Sequence, residues 1–308
     1  MRASAALHHG LGLALLFALA AAPAGAGDPS RGHAFEFLRL PGEPVGRSLA
    51  GAHLASVQGP ASLAWNPAGL GEGGASAAIL AHASWSAGMA WEWGALSLRA
   101  GAGAFGLACG VLRSGELEGF DADGGPTGEF APQQAYASVG YGRALGERVS
   151  AGLALEGILS GDGREAPERG WALGGGLVVS LGRARLALAA QHWAPAVERG
   201  GESYPLPGTL CAGASFDLPG RTRLHTAAQW VASEGVSLRL GAEWQATESL
   251  SALAGACLDP GAAEAQVTPT AGLAVDLGRM RVSYGYQPAA ALDASHQLSL
   301  TVLLGSPR

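Results

Sequence analysis

Lysine is absent from this 308-residue chain, and all 19 of its basic residues are arginine. That excludes a Walker-type phosphate loop, Schiff-base chemistry and a kinase-type nucleotide lysine together. Charge is scarce at 14% and aromatic residues at 6%, while the hydrophobic share is 48%. Disorder is excluded, because disordered chains combine low hydrophobicity with high charge. The 49 glycines follow no Gly-X-Y period, which excludes collagen. Nucleic acid is not an expected partner, since the arginines are scattered and the net charge is −6. Catalytic signatures are missing as well. His33, His53, His82, His192, His225 and His296 form no H-E-x-x-H or similar cluster, and there is no G-x-S-x-G. Cys109, Cys211 and Cys257 form no C-x-x-C pair and read as small apolar residues in separate segments. The expectation is a non-enzyme without cofactor or metal.

Long apolar runs are also lacking, with one exception. Arg2 supplies a positive start, Leu11–Ala22 an apolar core, and Ala24-Gly25-Ala26 a small-x-small cleavage site. Residues 1–26 therefore read as a secretory signal peptide. The run is shorter than the about 20 residues of a membrane helix. Later in the chain no stretch approaches that length, although the composition is apolar. A membrane β-barrel resolves this mismatch, because only every second residue of a strand faces lipid.

From residue 75 to 308 the chain breaks into fourteen segments of period two. In the clearest, Val236, Leu238, Leu240, Ala242 and Trp244 oppose Ser237, Arg239, Gly241, Glu243 and Gln245. Such alternation predicts strands with one apolar face, and the opposite face is dominated by Gly, Ala and Ser, which suits a lumen. The expected strands are 75–84, 88–99, 102–113, 133–144, 148–160, 170–181, 183–193, 207–218, 221–232, 235–246, 249–258, 267–277, 279–288 and 295–304. That leaves about 17 residues per strand with its connection, against the about 9–11 that a tilted membrane strand needs. The even-numbered connections are tight and most odd-numbered ones long (114–132, 161–169, 194–206, 259–266, 289–294), as in outer-membrane barrels whose short turns face the periplasm. Trp85, Trp91, Trp171, Trp193 and Trp230 fall beside the long loops and read as an aromatic girdle. Glu92, Glu156, Arg239, Glu243, Arg279 and Arg281 fall on polar faces and read as lumen residues, where unpaired charge is costly.

Two further patterns carry no chemistry. Gly101 to Gly106 matches G-x-G-x-x-G but joins two alternating segments, so it reads as a hairpin turn and not a dinucleotide site. Glu116, Glu118, Asp121, Asp123 and Glu129 lack the spacing of a calcium loop.

Residues 27–74 do not alternate. Val45–Ser56 has helical character, and Asn66-Pro67 marks a turn. The order Phe37-Leu38-Arg39-Leu40, Gly46-Arg47-Ser48-Leu49-Ala50-Gly51-Ala52, Trp65-Asn66-Pro67-Ala68-Gly69-Leu70 resembles the opening of the PorV/PorQ family of outer-membrane proteins, whose relatives are the FadL-type barrels. Pro126–Phe130 and Tyr141–Gly152 are similar to that family too. The resemblance implies an all-β, fourteen-stranded transmembrane antiparallel barrel at 75–308. It also implies that segment 27–74 folds into the lumen as a plug carrying Trp65, Asn66, Pro67 and Ala68. One departure is the end, Leu303-Leu304-Gly305-Ser306-Pro307-Arg308, which lacks a terminal aromatic residue. The implied role is a secretion or surface-assembly component (type IX-like) of the bacterial outer membrane. The alternative is a FadL-type channel for uptake of hydrophobic small molecules. Expected partners are outer-membrane lipid, the barrel-assembly machinery, and secretion-system proteins or hydrophobic ligands.

Overall fold

The computed structural model describes residues 32–85, 88–164, 166–199, 201–231, 234–260, 266–288 and 294–305. The expected signal peptide lies outside them. Fourteen antiparallel strands close into a barrel: β1 (Ala77–Ser84), β2 (Ala90–Ala100), β3 (Gly103–Arg113), β6 (Gln133–Ala144), β7 (Val149–Gly161), β8 (Glu168–Leu181), β9 (Ala184–Trp193), β12 (Thr209–Leu218), β13 (Thr222–Val231), β14 (Gly235–Gln245), β15 (Leu250–Asp259), β16 (Gln266–Leu277), β17 (Met280–Gln287) and β18 (Ser295–Leu303). Ala77 to Ser84 pair with Leu303 to His296, which closes β1 onto β18 and leaves no free edge. Two small hairpins stand in long loops: β4 (Leu117–Phe120) with β5 (Pro126–Phe130), and β10 (Val197–Arg199) with β11 (Glu202–Tyr204).

Alternation builds the wall. Leu80, Leu153, Leu240 and Val267 are between 60% and 73% exposed and point outward, a belt that suits hydrocarbon better than water. The inward face is small and buried: Ser97, Ser138, Ser150, Ser215, Ser251, Ser283 and Ser299 each keep 4% or less of their surface. Tight turns at 101–102, 182–183 and 278–279 share one rim with the start of β1 and the end of β18. At Gly182 and Gly278 the backbone takes φ of 69° with open space around it, so glycine serves the turn itself. The Gly101 turn likewise joins β2 to β3, with no helix following.

Four expected positions are corrected. Trp91 and Trp93 point into the barrel, buried to 0% and 2%; the Trp91 indole donates to Pro41 O at 3.1 Å. Glu92, one residue on, therefore points outward and meets His82 Nδ1 at 2.8 Å. The inner face of β2 packs against protein rather than water, so its aromatics go inside. Glu92 then lies on the outer face close to the long-loop rim, where headgroups and water can solvate it. Trp85 also turns inward, under the Arg47 guanidinium at 5.3 Å. Arg279 sits in the 278–279 turn, exposed at the rim, because β17 begins only at Met280. Of the five tryptophans, Trp171, Trp193 and Trp230 face outward near the long loops.

Candidate functional site: a cavity between the luminal segment and the wall

Residues 33–74 run down the inside of the barrel from the long-loop rim to the short-turn rim. At the top, Ala34 N donates to Pro205 O at 2.9 Å. Arg39 there pairs with Glu36 and with Glu234 of the β13–β14 connection. At the bottom, Glu72 pairs with Arg185 and Arg99 donates to Gly71 O. Between these ends the chain forms short helical turns that proline and side-chain caps define. Pro44 opens the turn Pro44–Ser48, and Glu43 caps it by accepting from Val45 N and Gly46 N at 2.6 Å each.

Glu43 ties three parts of the segment together. It also accepts from Trp65 Nε1 at 3.2 Å and lies 3.6 Å from His53 Nδ1. Burial works to raise its pKa, but His53 and the two amides outweigh burial and hold it below the ordinary carboxylate range. Arg47 is pushed down to about 10 by burial, against the opposing pull of Glu43, and stays charged.

The Trp65-Asn66-Pro67-Ala68 motif is a junction. Asn66 is fully buried, and its Oδ1 accepts from Ala68 N at 3.1 Å, capping the turn Pro67–Gly71. Its Nδ2 donates to Leu54 O within the segment and to Leu177 O of β8, both at 3.3 Å. Around it the wall is cut away. A Cβ on Gly142 would lie 2.5 Å from Pro67 O, and one on Gly140 would lie 2.6 Å from Leu63.

Nearer the long-loop rim the segment stands off the wall and leaves a cavity of about 480 Å³, within the about 300–1,000 Å³ range of small-molecule sites. Leu38, Leu40, Leu54, Trp65, Trp85 and Met89 supply its apolar lining. Arg47 and Arg239 supply its deep polar groups. Arg47 Nε donates to Gln297 Oε1 at 2.8 Å and Nη1 to Ser295 Oγ at 2.6 Å, while buried Nη2 has no partner among the described residues. Arg239 Nη1 donates to Ala50 O at 3.2 Å, and its buried Nε is equally unmatched.

The other sequence-selected charges sit as follows. Glu156 is buried and meets His192 Nδ1 at 2.8 Å. His192 takes φ of 56° at the β8–β9 register shift, a left-handed conformation that non-glycine residues rarely hold. Neighbouring Gln191 donates to Ala64 O at 3.0 Å, so this bulge grips the segment. Arg281 lies 3.6 Å from both Glu243 and Asp276 on the inner wall. Arg47 and Trp85 were not among the sequence candidates for a binding site. One signal for Arg47 was available: it is the sole basic residue between positions 40 and 98. Among the described residues the acidic loop holds no metal-ligating cluster; Asp121 Oδ1 instead accepts from Asp123 N and Gly125 N at 3.0 and 2.7 Å.

No protein-family model matches the sequence, and no curated protein matches it. Solved structures do match the fold. The CymD monoaromatic hydrocarbon channel superposes with a TM-score of 0.60 at 15% identity, over 89% of this chain and 100% of that one. The Pseudomonas putida toluene transporter TodX gives 0.60 at 13%, over 85% and 97%. A Pseudomonas aeruginosa FadL homologue gives 0.60 at 10%, over 85% and 98%. The chain therefore has the fourteen-stranded barrel fold of FadL-type outer-membrane channels.

Proposed function

We propose that this protein is an outer-membrane channel for hydrophobic small molecules, and that the cavity beside Trp85 and Arg47 is where a molecule pauses in transit. The observation that carries the proposal is the cavity's position. It lies on the long-loop side of a segment that packs closely on wall glycines below it, and apolar side chains line it. The outward belt of leucine and valine supports a membrane setting for the barrel. Fold likeness to the CymD and TodX channels agrees with this reading. Segment 33–74 acts as the plug, with Asn66 as its fastening.

The secretion role rests on the PorV/PorQ-like motifs of residues 37–70 and 126–157, and a lumen that holds a small-molecule cavity favours the channel instead. The barrel-assembly machinery remains an expected partner, with Leu298, Leu300 and Val302 keeping the alternation of the last strand.

The test is flux in proteoliposomes loaded with a reporter for a monoaromatic compound. The protein is expected to accelerate uptake of the aromatic while leaving a sugar of similar size excluded. Equal exclusion of both, or equal passage of both, would contradict a hydrophobic channel.

A further inference from the structure

A half-buried histidine of the luminal segment meets a buried one of the wall. His53 sits in the helical turn Ala52–Ala55 of the segment, and His225 is an inward residue of β13, 2% exposed. Their rings stand edge to face with centroids 6.2 Å apart. His225 Nδ1 is 3.2 Å from Ser56 Oγ. His53 Nδ1 and His225 Nε2 are both buried without a hydrogen-bond partner among the described residues.

We propose that this pair is an acid-released joint between plug and wall. Protonating one ring is tolerable, because Glu43 lies 3.6 Å from His53. Protonating both puts two like charges side by side in a largely buried interface, and among the described residues no carboxylate faces His225. The elements packed against the turn add positive charge. β14 brings Arg239 and Pro44–Ser48 brings Arg47, while Arg223 of β13 is paired with Asp217 of β12 at 2.5 Å. The remaining charges on these elements are already matched: Arg185 of β9 to Glu72, His192 of β9 to Glu156, and Glu243 of β14 to Arg281. The repulsion is relieved when 52–56 withdraws from β13.

Withdrawal is transmitted to the seal. Leu54 O accepts from Asn66 Nδ2, so moving the turn pulls on the junction that holds Pro67–Gly71 against β6, β7 and β8. Acid thus loosens the plug below the cavity, whatever molecule the cavity holds. Glu43, held below the ordinary carboxylate range, stays ionised in mildly acidic buffer, so the response belongs to the histidines.

The test is hydrogen exchange on the full mature chain in detergent at about pH 7.5 and about pH 5, a window across which a ring released into water takes up its proton, with intrinsic exchange rates divided out. The wild-type amides of residues 52–57 are expected to lose protection by about tenfold or more at the lower pH. The β1–β18 amides serve as the folding control and keep theirs. His225→Gln and His53→Gln are each expected to hold the 52–57 change within about twofold. His53→Gln lies outside the barrel strands and remains informative if His225→Gln folds poorly. Unchanged protection in the wild type, or the same loss in a folded variant, would overturn the joint.

Discussion

The lower and upper parts of the lumen hold the same segment in opposite ways. Near the short-turn rim the wall offers glycine and no space, so Pro67, Ala68 and Leu70 lie against bare backbone of β6 and β7. Near the long-loop rim the wall offers Gln191, Thr209, Gln229 and Arg239, and a cavity remains. Crowding below fits the proposed plug, because close packing leaves little path for a solute. Slack above leaves the cavity that the proposed function needs for a small molecule. The difference teaches that glycine in this barrel has two uses. At Gly182 it meets a dihedral requirement in empty space, whereas at Gly142, Gly152 and Gly176 it is absence of a side chain that counts.

The sharpest way to break the contrast is to fill the lower wall. Gly142→Val would drive a side chain into Pro67 O and Leu70, whose atoms lie 2.5 and 2.8 Å from the added Cβ. The expected cost is about 3 kcal/mol of overpacking, read as lost exchange protection at residues 66–71. Gly182→Ala, a clash-free turn change, should cost about 1 kcal/mol and leave those amides protected.

Removing the fastening comes next. Asn66→Ala strands Ala68 N, Leu54 O and Leu177 O in a buried place. A loss of about 2 kcal/mol in segment stability is expected, with increased leak of small ions through the reconstituted barrel as the readout.

In the upper part the effect moves from stability to affinity. Arg47→Met keeps volume but removes the guanidinium charge at the cavity wall over Trp85, and Gln297, which also donates to Pro41 O and Gly42 O, still ties the segment to β18. Binding of an aromatic bearing one acceptor group should weaken about tenfold, or about 1.4 kcal/mol. Binding of the bare hydrocarbon should change little. Calorimetry with the two ligands separates these outcomes.

The smallest effect separates two tryptophans that look alike in sequence. Trp171→Ala should alter only anchoring in the bilayer, costing under about 1.5 kcal/mol, with ligand affinity unchanged. Trp85→Ala should lower affinity and leave anchoring alone, since the ring lies under Arg47 inside the cavity.

Much of the wall was legible because a strand between lipid and lumen must alternate. Thus Val236–Gln245 shows its two faces plainly, and observed β14, Gly235–Gln245, falls within the expected 235–246. The reading of β2 failed for a physical reason. Polarity does not mean inward here: a packed lumen accepts Trp91 and Trp93 while the rim's outer face accepts Glu92 and His82. Arg279 went astray by one residue, which at a period of two reverses a side chain or, as here, leaves it in the turn. Hairpins β4–β5 and β10–β11 escaped notice because short strands inside loops carry little alternation. No motif marks the cavity itself: Arg47, Trp85 and Arg239 come from distant parts of the chain and meet only in three dimensions.

The central claim is that the cavity beside Arg47 and Trp85 holds a hydrophobic molecule. Native mass spectrometry of the protein released from membranes in mild detergent, then offered a monoaromatic ligand, tests it most directly. The account predicts one ligand bound per chain, retained by Trp171→Ala and lost from Trp85→Ala. No retained ligand in the wild type, or equal retention by both variants, would contradict it.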